Sequence, residues 1–437
     1  DSSAASDVYK RQFYATADIL KAQMDKNENW DLKGEVDESL MAAVAERFYG
    51  VCLGVAAALV DEGVASVEDT DRGAKIGLRW IMGPFEIMNK IGVGRTYEAV
   101  EAITQKFPDF RMPEILAKQN ALGQPFDFKF VDLEIKNEIA TITLNRPEAM
   151  NALNESVVAQ LDDRFTEAEN HPGVKAIVFQ GAGKAFVAGA DIRYFVTKIK
   201  ADQIADIYEF TRRGQELFLR IENSPKLTVT LLDGLSMGGG SELALACQAI
   251  IATPAGSMGF PETGIGIFPG LGGMLRTARM IGPDLAKYYV FTGATMSAQD
   301  AFELGIVTRL VEPADMATAI KDLCAQGKPE KYGQREIPEK FKPYAVACNQ
   351  ENIGRLFAGN PPEGVSEDLA VKTAKVFSFK APLALKMGNE IIDQQGGKSM
   401  EEAVKIELGR LNDIFSTADA LEGLSSLGRR RPEFKGS

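Results

Sequence analysis

Three observations predict an α/β protein preceded by an all-helical segment. Apolar residues recur at steps of three and four from Val44 to Leu59, which is helical spacing. They recur at every second position around Val131 to Ile135 and again from Ile139, which is strand spacing. Beyond residue 150 strand-like and helix-like runs alternate, as in an α/β core.

Residues 1–12 begin without methionine and are rich in Ser and Ala, so a non-native or unstructured leader is expected, and the chain is expected to be a fragment. From Phe13 to about residue 120 the pattern is helical. Val44, Phe48, Val51, Cys52, Val55 and Leu59 form one face, expected to be buried, and Gly50, Gly54, Ala56, Ala57 and Ala58 would let another helix approach, as core or as a dimer interface. The polar stretch 121–128, with Gly123 and Pro125, reads as a linker. From 129 to 437 the period changes. Val131, Leu133 and Ile135 alternate, as do Ile139, Thr141 and Thr143 after Asn137 and Glu138, which signals a hairpin. A helix is expected over 154–167, and strands over 174–179, 226–232 and 249–253. No internal repeat is legible.

At 437 residues, 45% hydrophobic and 25% charged, the composition is globular and two domains are expected. The net charge of −12 disfavours nucleic acid and anionic membranes as partners, but not a phosphorylated ligand. No apolar run reaches the roughly 20 residues of a bilayer span. Cys52, Cys247, Cys324 and Cys348 are far apart and form no CxxC pair, so neither disulfides nor zinc are expected, and a cytoplasmic location is, with the mitochondrial matrix as alternative if a targeting segment was lost. The single histidine, His171, lies in a loop-like Asn-His-Pro-Gly stretch, which leaves carboxylates as the main acid–base option and no metal site.

The chemistry concentrates between Leu231 and Glu262. A strand-like run leads into Gly238, Gly239, Gly240, Ser241 and Glu242, and a helix is expected from Leu243; a second apolar run leads to Gly259, Phe260, Pro261 and Glu262. Glycines allow close backbone approach, and the unpaired amides at a helix N-terminus suit a developing oxyanion. Two carboxylates thus flank one apolar segment, twenty positions apart.

With the loop Lys184–Ile192, the motif Asn145-Arg146-Pro147 with Asn151, and Pro269-Gly270-Leu271-Gly272-Gly273, this order resembles the crotonase superfamily, specifically enoyl-CoA hydratases. The resemblance is strong over about 129–320 and returns at Ala381-Pro382 and at Asp419, Glu422, Gly423 and Arg430 to Phe434. Between, residues 324–365 are longer and more polar and are expected on the surface. The segment Thr70 to Glu86, with Gly83-Pro84-Phe85, resembles the C-terminal helical domain of 3-hydroxyacyl-CoA dehydrogenases. It departs at Asn89, where that family usually has an acid.

The resemblance implies a crotonase-like ββα superhelix over 129–437 behind a helical dehydrogenase-type domain over 13–120, from a fused dehydrogenase–hydratase. It implies Glu242 and Glu262 as the catalytic acid–base pair and the amides of Ala190 and Gly239 as the oxyanion hole. Arg146, Lys184, Ala188, Asp191, Ile192 and Gly270 are implied in binding CoA or substrate, with Arg431 and Lys435 as further cationic candidates. Gly270, opening a helix Leu271–Met280, would aim a dipole at the thioester. No permanently bound cofactor is implied; a coenzyme A thioester is the substrate. Every Gly-x-Gly fails at the third glycine, at Tyr97, Phe186, Leu243, Pro269 and Leu275, so NAD and dehydrogenase activity are not expected. The expected reaction is reversible hydration of trans-2-enoyl-CoA. Alternatives are Δ3,Δ2-enoyl-CoA isomerisation and a non-catalytic acyl-CoA-binding role, in an oligomer built on trimers or on a dimer through the helical domain.

Overall fold

A computed structural model describes residues 18–26, 37–333 and 335–437; the leader 1–12 lies outside them. Two compact units divide between Asp127 and Phe128.

In the first unit the helix Glu38–Asp61 starts where the Asp37 carboxylate accepts the Ser39 and Leu40 amides. Its small residues make its buried face. A Cβ on Gly50 would sit 2.4 Å from the Ala99 carbonyl, so only glycine lets the helix Val93–Lys106 lie this close. The expected burial of the larger residues is reversed: Val44, Phe48, Val51, Val55 and Leu59 are exposed, Val44 by 59%. Close approach selected the small-residue face instead. Among the described residues this helix alone is long and apolar enough to cross a membrane, by length and composition. Glu46 and Arg47 interrupt it, so its uncharged run Phe48–Val60 stays below the roughly 20 residues of a bilayer span.

Buried Asp71 accepts the Phe85 and Glu86 amides at 2.7 and 2.9 Å and so caps the helix Pro84–Ile91. Burial pushes its carboxyl up to about 6. Asn89 accepts the Phe126 amide and donates to the Phe126 carbonyl. A carboxylate could accept but not donate, which gives the departure at Asn89 a physical reason. The expected linker is shorter than read: the helix Glu114–Leu122 enters it, and Phe126 is buried edge-on against Phe85.

The second unit begins with β1 (Val131–Lys136) and β2 (Ile139–Leu144), paired antiparallel through Asn137 and Glu138, both at positive φ, as a tight two-residue hairpin requires. The core face of β2 is Ala140, Ile142 and Leu144, not the Ile139, Thr141 and Thr143 set. Eight strands follow: β3 (Ala176–Gly181), β4 (Ala185–Ala188), β5 (Leu227–Leu232), β6 (Leu235–Met237), β7 (Ala249–Ala252), β8 (Ser257–Gly259), β9 (Met296–Ser297) and β10 (Arg309–Leu310).

The first sheet has the order β1-β2-β3-β5-β7-β10 and the second β4-β6-β8-β9. A repeat absent from the sequence thereby appears in space. Three times a strand joins the first sheet, the next joins the second, and a helical segment follows, so β3–β5–β7 and β4–β6–β8 each stack in parallel. This is a ββα superhelix. The strands β3, β5 and β7 are mostly apolar because both faces are covered: Ile177, Phe179, Leu232 and Ile250 join the main core, while Val178, Val229 and Ile251 pack with Ala319 and Leu323 of the helix Met316–Gln326.

Residues 324–365 are not merely surface. Phe341, Cys348, Ile353 and Leu356 enter the main core, and Lys331 pairs with Glu222 at 2.6 Å. Pro338 and Pro343 stand at the starts of short helical turns, while Pro329, Pro361 and Pro362 lie in the connections between helices.

Candidate active site

The superhelix explains how distant residues converge. Ala188 pairs with Met237 and Met237 with Gly259, so the chain leaves β4, β6 and β8 side by side. Two residues on from the first pair stand Ala190 and Gly239, and three on from Gly259 stands Glu262. All three line one cavity of about 140 Å³, together with Glu242 and Gly270.

Ala190 lies in an isolated parallel bridge with Leu153. That bridge engages the amides of Leu153 (to the Gly189 carbonyl, 2.9 Å) and Asp191 (to the Leu153 carbonyl, 2.7 Å). In extended backbone the amide between points the other way. Gly239 is the first residue of the helix Gly239–Ala246, whose amide has no intrahelical acceptor. The helix therefore starts inside the glycine run, four residues before the expected Leu243. Gly238 makes the turn at φ +49°, and a Cβ there would lie 2.5 Å from Glu262 Oε1.

Glu242, in the first turn of that helix, is 2% exposed. Its Oε1 accepts the Leu271 amide at 2.7 Å and the Gly273 amide at 2.8 Å. Burial pushes this carboxyl up to about 7, against the pull of those two amides. Glu262 opens a 3₁₀ turn, Glu262–Ile265, and its Oε2 is buried with no protein hydrogen-bond partner. Burial, then the charge of Glu242, holds it well above the ordinary value, opposed by its own backbone amide and by Lys380. The two acids thus sit in unlike settings, one held by two amides of another loop and the other met only by its own amide.

The expected helix from Leu271 starts instead at Gly273 and runs to Ile281, because Gly272 turns in the left-handed region at φ +88°; Glu242 accepts the amides on either side of that turn. Gly270 lines the cavity but opens no helix, and the dipole is aimed at Glu242 rather than at a thioester. Ala188 and Ile192 also line the cavity. Asp191 caps the helix Ile192–Lys200 through the Arg193 amide. Although burial raises its carboxyl, Arg193 and Arg146 hold it below the ordinary value. Arg146 meets Asp191 Oδ2 at 3.2 Å, sharing that carboxylate with Arg193, and lies over the Phe130 ring. Asn151 fastens the same region, accepting the Arg146 amide and donating to the carbonyls of Ala182, Ala185 and Phe186. Lys184 is exposed between β3 and β4 and does not line the cavity. Arg431 stacks on Phe379, and the Lys435 amide is held by Asp419.

The sequence reading missed Lys380 and Glu407. Glu407 was detectable: with Met400, Ala403 and Val404 it falls on the inward stripe of the helix Met400–Leu408, where a charge is out of place. It is fully buried, and burial, then the charge of Glu242, pushes it up to about 8.

These raised carboxyls carry a pH signature. Each binds its proton more tightly folded than unfolded, so its contribution to stability is complete below the unfolded value near 4.5 and is lost as pH rises toward the folded one. The melting temperature is expected to fall between about pH 5 and pH 8, and Glu407→Gln to flatten the fall by on the order of 1 kcal/mol per pH unit. A melting temperature that rises across this window, or a slope unchanged in the variant, would contradict the assignment.

Residues 139–435 match the family model described as enoyl-CoA hydratase/isomerase, and residues 44–130 match that of the 3-hydroxyacyl-CoA dehydrogenase C-terminal domain. A crotonyl-CoA hydratase of Syntrophomonas wolfei is 36% identical over 46% of this chain and 75% of its own length. A probable enoyl-CoA hydratase of Bacillus subtilis is 30% identical over 70% of this chain and 98% of its own. Among solved structures, an enoyl-CoA hydratase from Rhodobacter sphaeroides superposes with a TM-score of 0.62 at 27% identity, covering 71% of this chain and 93% of that one.

Proposed function

This chain belongs to the enoyl-CoA hydratase/isomerase family, joined to a dehydrogenase-type helical domain, and from that premise we propose how its site works. It is an enoyl-CoA hydratase, a lyase of acyl-CoA metabolism that adds water across the double bond of trans-2-enoyl-CoA. The observation that carries the mechanism is the pair of buried carboxyls in unlike settings on one cavity with two unpaired amides.

Glu242, whose ionised form two amides stabilise, is the base. Its Oε2 takes a proton from water as the water oxygen bonds to Cβ. The π electrons move through Cα to the thioester oxygen, where the Ala190 and Gly239 amides receive the charge. Glu262, met only by its own backbone amide and raised further by the charge of Glu242, is the member of the pair held protonated, and it delivers its proton to Cα as the carbonyl re-forms. Water ends as OH on Cβ and H on Cα, and exchange of one proton between the acids resets the site. Isomerisation needs only one carboxyl to carry a proton between carbons. The amide-bound Glu242 favours hydration.

The cavity also bounds the substrate. Beyond the acids it is walled by Phe195, Phe210, Leu411 and Phe415, with Phe195 and Phe415 stacked at 5.2 Å. A cavity of about 150 Å³ holds one benzene, six carbons, so a space of about 140 Å³ suits a short enoyl chain.

The test is loss of the enoyl thioester absorbance on adding crotonyl-CoA. Turnover is expected, and binding without hydration would overturn the reading. Phe415→Ala is expected to raise kcat/KM for a ten-carbon enoyl-CoA about tenfold relative to crotonyl-CoA, since each added methylene gains burial of about 0.8 kcal/mol. An unchanged ratio would place the limit elsewhere.

A further inference from the structure

Glu407 is a fully buried acid that the mechanism above does not use. It does not line the cavity. Its Oε1 accepts the Gly272 amide at 2.8 Å and Gln215 Nε2 at 2.6 Å, and its Oε2 lies 3.4 Å from Gln395 Nε2. Between Glu407 and Glu242 runs the loop 270–273, and the two carboxylates grip it from opposite sides. Leu271 and Gly273 give their amides to Glu242, while Gly272 between them, at φ +88°, gives its amide to Glu407. Gln215 fastens the same loop a second time, donating to the Gly270 carbonyl at 2.8 Å, and Arg276 Nη1 holds the Leu271 carbonyl at 3.1 Å.

The alternation has a mechanical consequence. Three successive amides can face alternate sides only while the middle one has its own acceptor, because a buried N–H without a partner rotates toward one. Two other acceptors stand close to it: Glu242, on the neighbouring amides, and Gln215 Oε1, buried beside Gly272 without a partner of its own among the described residues.

We propose that Glu407 is a positioning residue of the hydration site: by holding Gly272 and Gln215, it keeps the Leu271 and Gly273 amides on Glu242 and Gly270 at the cavity wall. The inference rests on the hydratase reading. It also assigns the helix Met400–Leu408, 135 positions beyond the loop at the Gly272–Glu407 contact, a part in setting the catalytic base.

Crotonyl-CoA hydration by the full chain tests it, with circular dichroism and melting temperature recorded for each variant. Glu407→Ala is expected to lower kcat about 30-fold with KM changed less than about threefold, the scale of a small displacement of a reacting group. Glu407→Gln, whose amide oxygen can accept the same two donors, is expected to recover all but about fivefold of kcat. In a Glu242→Gln background, Glu407→Ala should cost no more than about threefold, since its effect passes through Glu242. A merely structural role would lower the melting temperature and leave kcat of the folded enzyme and this cycle unmoved.

A folded Glu407→Ala enzyme with kcat within twofold of the parent, or Glu407→Gln as slow as Glu407→Ala, would overturn the proposal. Should Glu407→Ala not fold, Gln215→Leu removes one of the two donors and is expected to lower kcat severalfold; full activity there would overturn it equally. Failure of the parent chain to hydrate crotonyl-CoA would instead overturn the hydratase reading on which all of this stands.

Discussion

Glu262→Gln is expected to hydrate crotonyl-CoA about 10³-fold more slowly than the parent chain, within the roughly 10²–10⁴-fold span of general acid–base catalysis. The substitution keeps shape and volume, and the carboxamide fits against Gly238, where any larger residue would meet the Glu262 side chain. What it removes is the proton for Cα. Stability should hold or rise, because two buried carboxyls no longer share one field. Glu242→Gln is expected to fall comparably, and the double variant little further, since the two act on one transition state. Rates within tenfold of the parent for both single variants would remove the acid–base pair from the mechanism.

Gly239→Pro is expected to cost about 10²–10³ in kcat, the scale of deleting one oxyanion donor. Proline is well suited to the first position of a helix, and Gly238 before it has no side chain to clash with the ring. The one group that vanishes is the amide hydrogen. A Cβ at 239 would press on Leu153 Cδ1 at 3.2 Å, so Gly239→Ala supplies the control: it has the same Cβ contact without the ring's Cγ and Cδ, keeps the donor, and should retain activity within about fivefold. Equal loss in both variants would assign the effect to crowding and discard Gly239 as a donor.

The parts of this molecule legible in its sequence are those fixed by local chemistry. Asn137 and Glu138 between two alternating runs gave the hairpin, and Asn154 marked a helix start that its side chain caps at the Val157 amide. Glu242 and Glu262 could be singled out because each follows a strand-like run and a glycine turn. Other features depended on long-range contacts. Which face of the helix Glu38–Asp61 is buried was decided by the Ala99 carbonyl, some fifty positions away, and periodicity alone favoured the wrong one. The helix expected at Leu271 starts only at Gly273, because Gly272 is held in a left-handed turn whose amide is fixed by Glu407, 135 positions on. Arg146 pairs with Asp191, 45 positions on, a contact that no local pattern announces. The role proposed for Glu407 depends on a fold that brings the helix Met400–Leu408 against the loop 270–273. The spatial repeat of β3–β4, β5–β6 and β7–β8 has no sequence period because the connecting segments differ in length.

That both proposed oxyanion donors are main-chain groups has an evolutionary consequence. Nearly every codon change at Ala190 or Gly239 alters a side chain and leaves the N–H in place; proline alone deletes it. The carboxyls have no such protection, and one base change converts either glutamate codon to glutamine. Drift in this architecture is therefore asymmetric: lineages can lose or exchange their proton carriers readily while the capacity to stabilise a thioester enolate persists. A new reaction on this scaffold is most accessible when it keeps that enolate and alters only where the protons go.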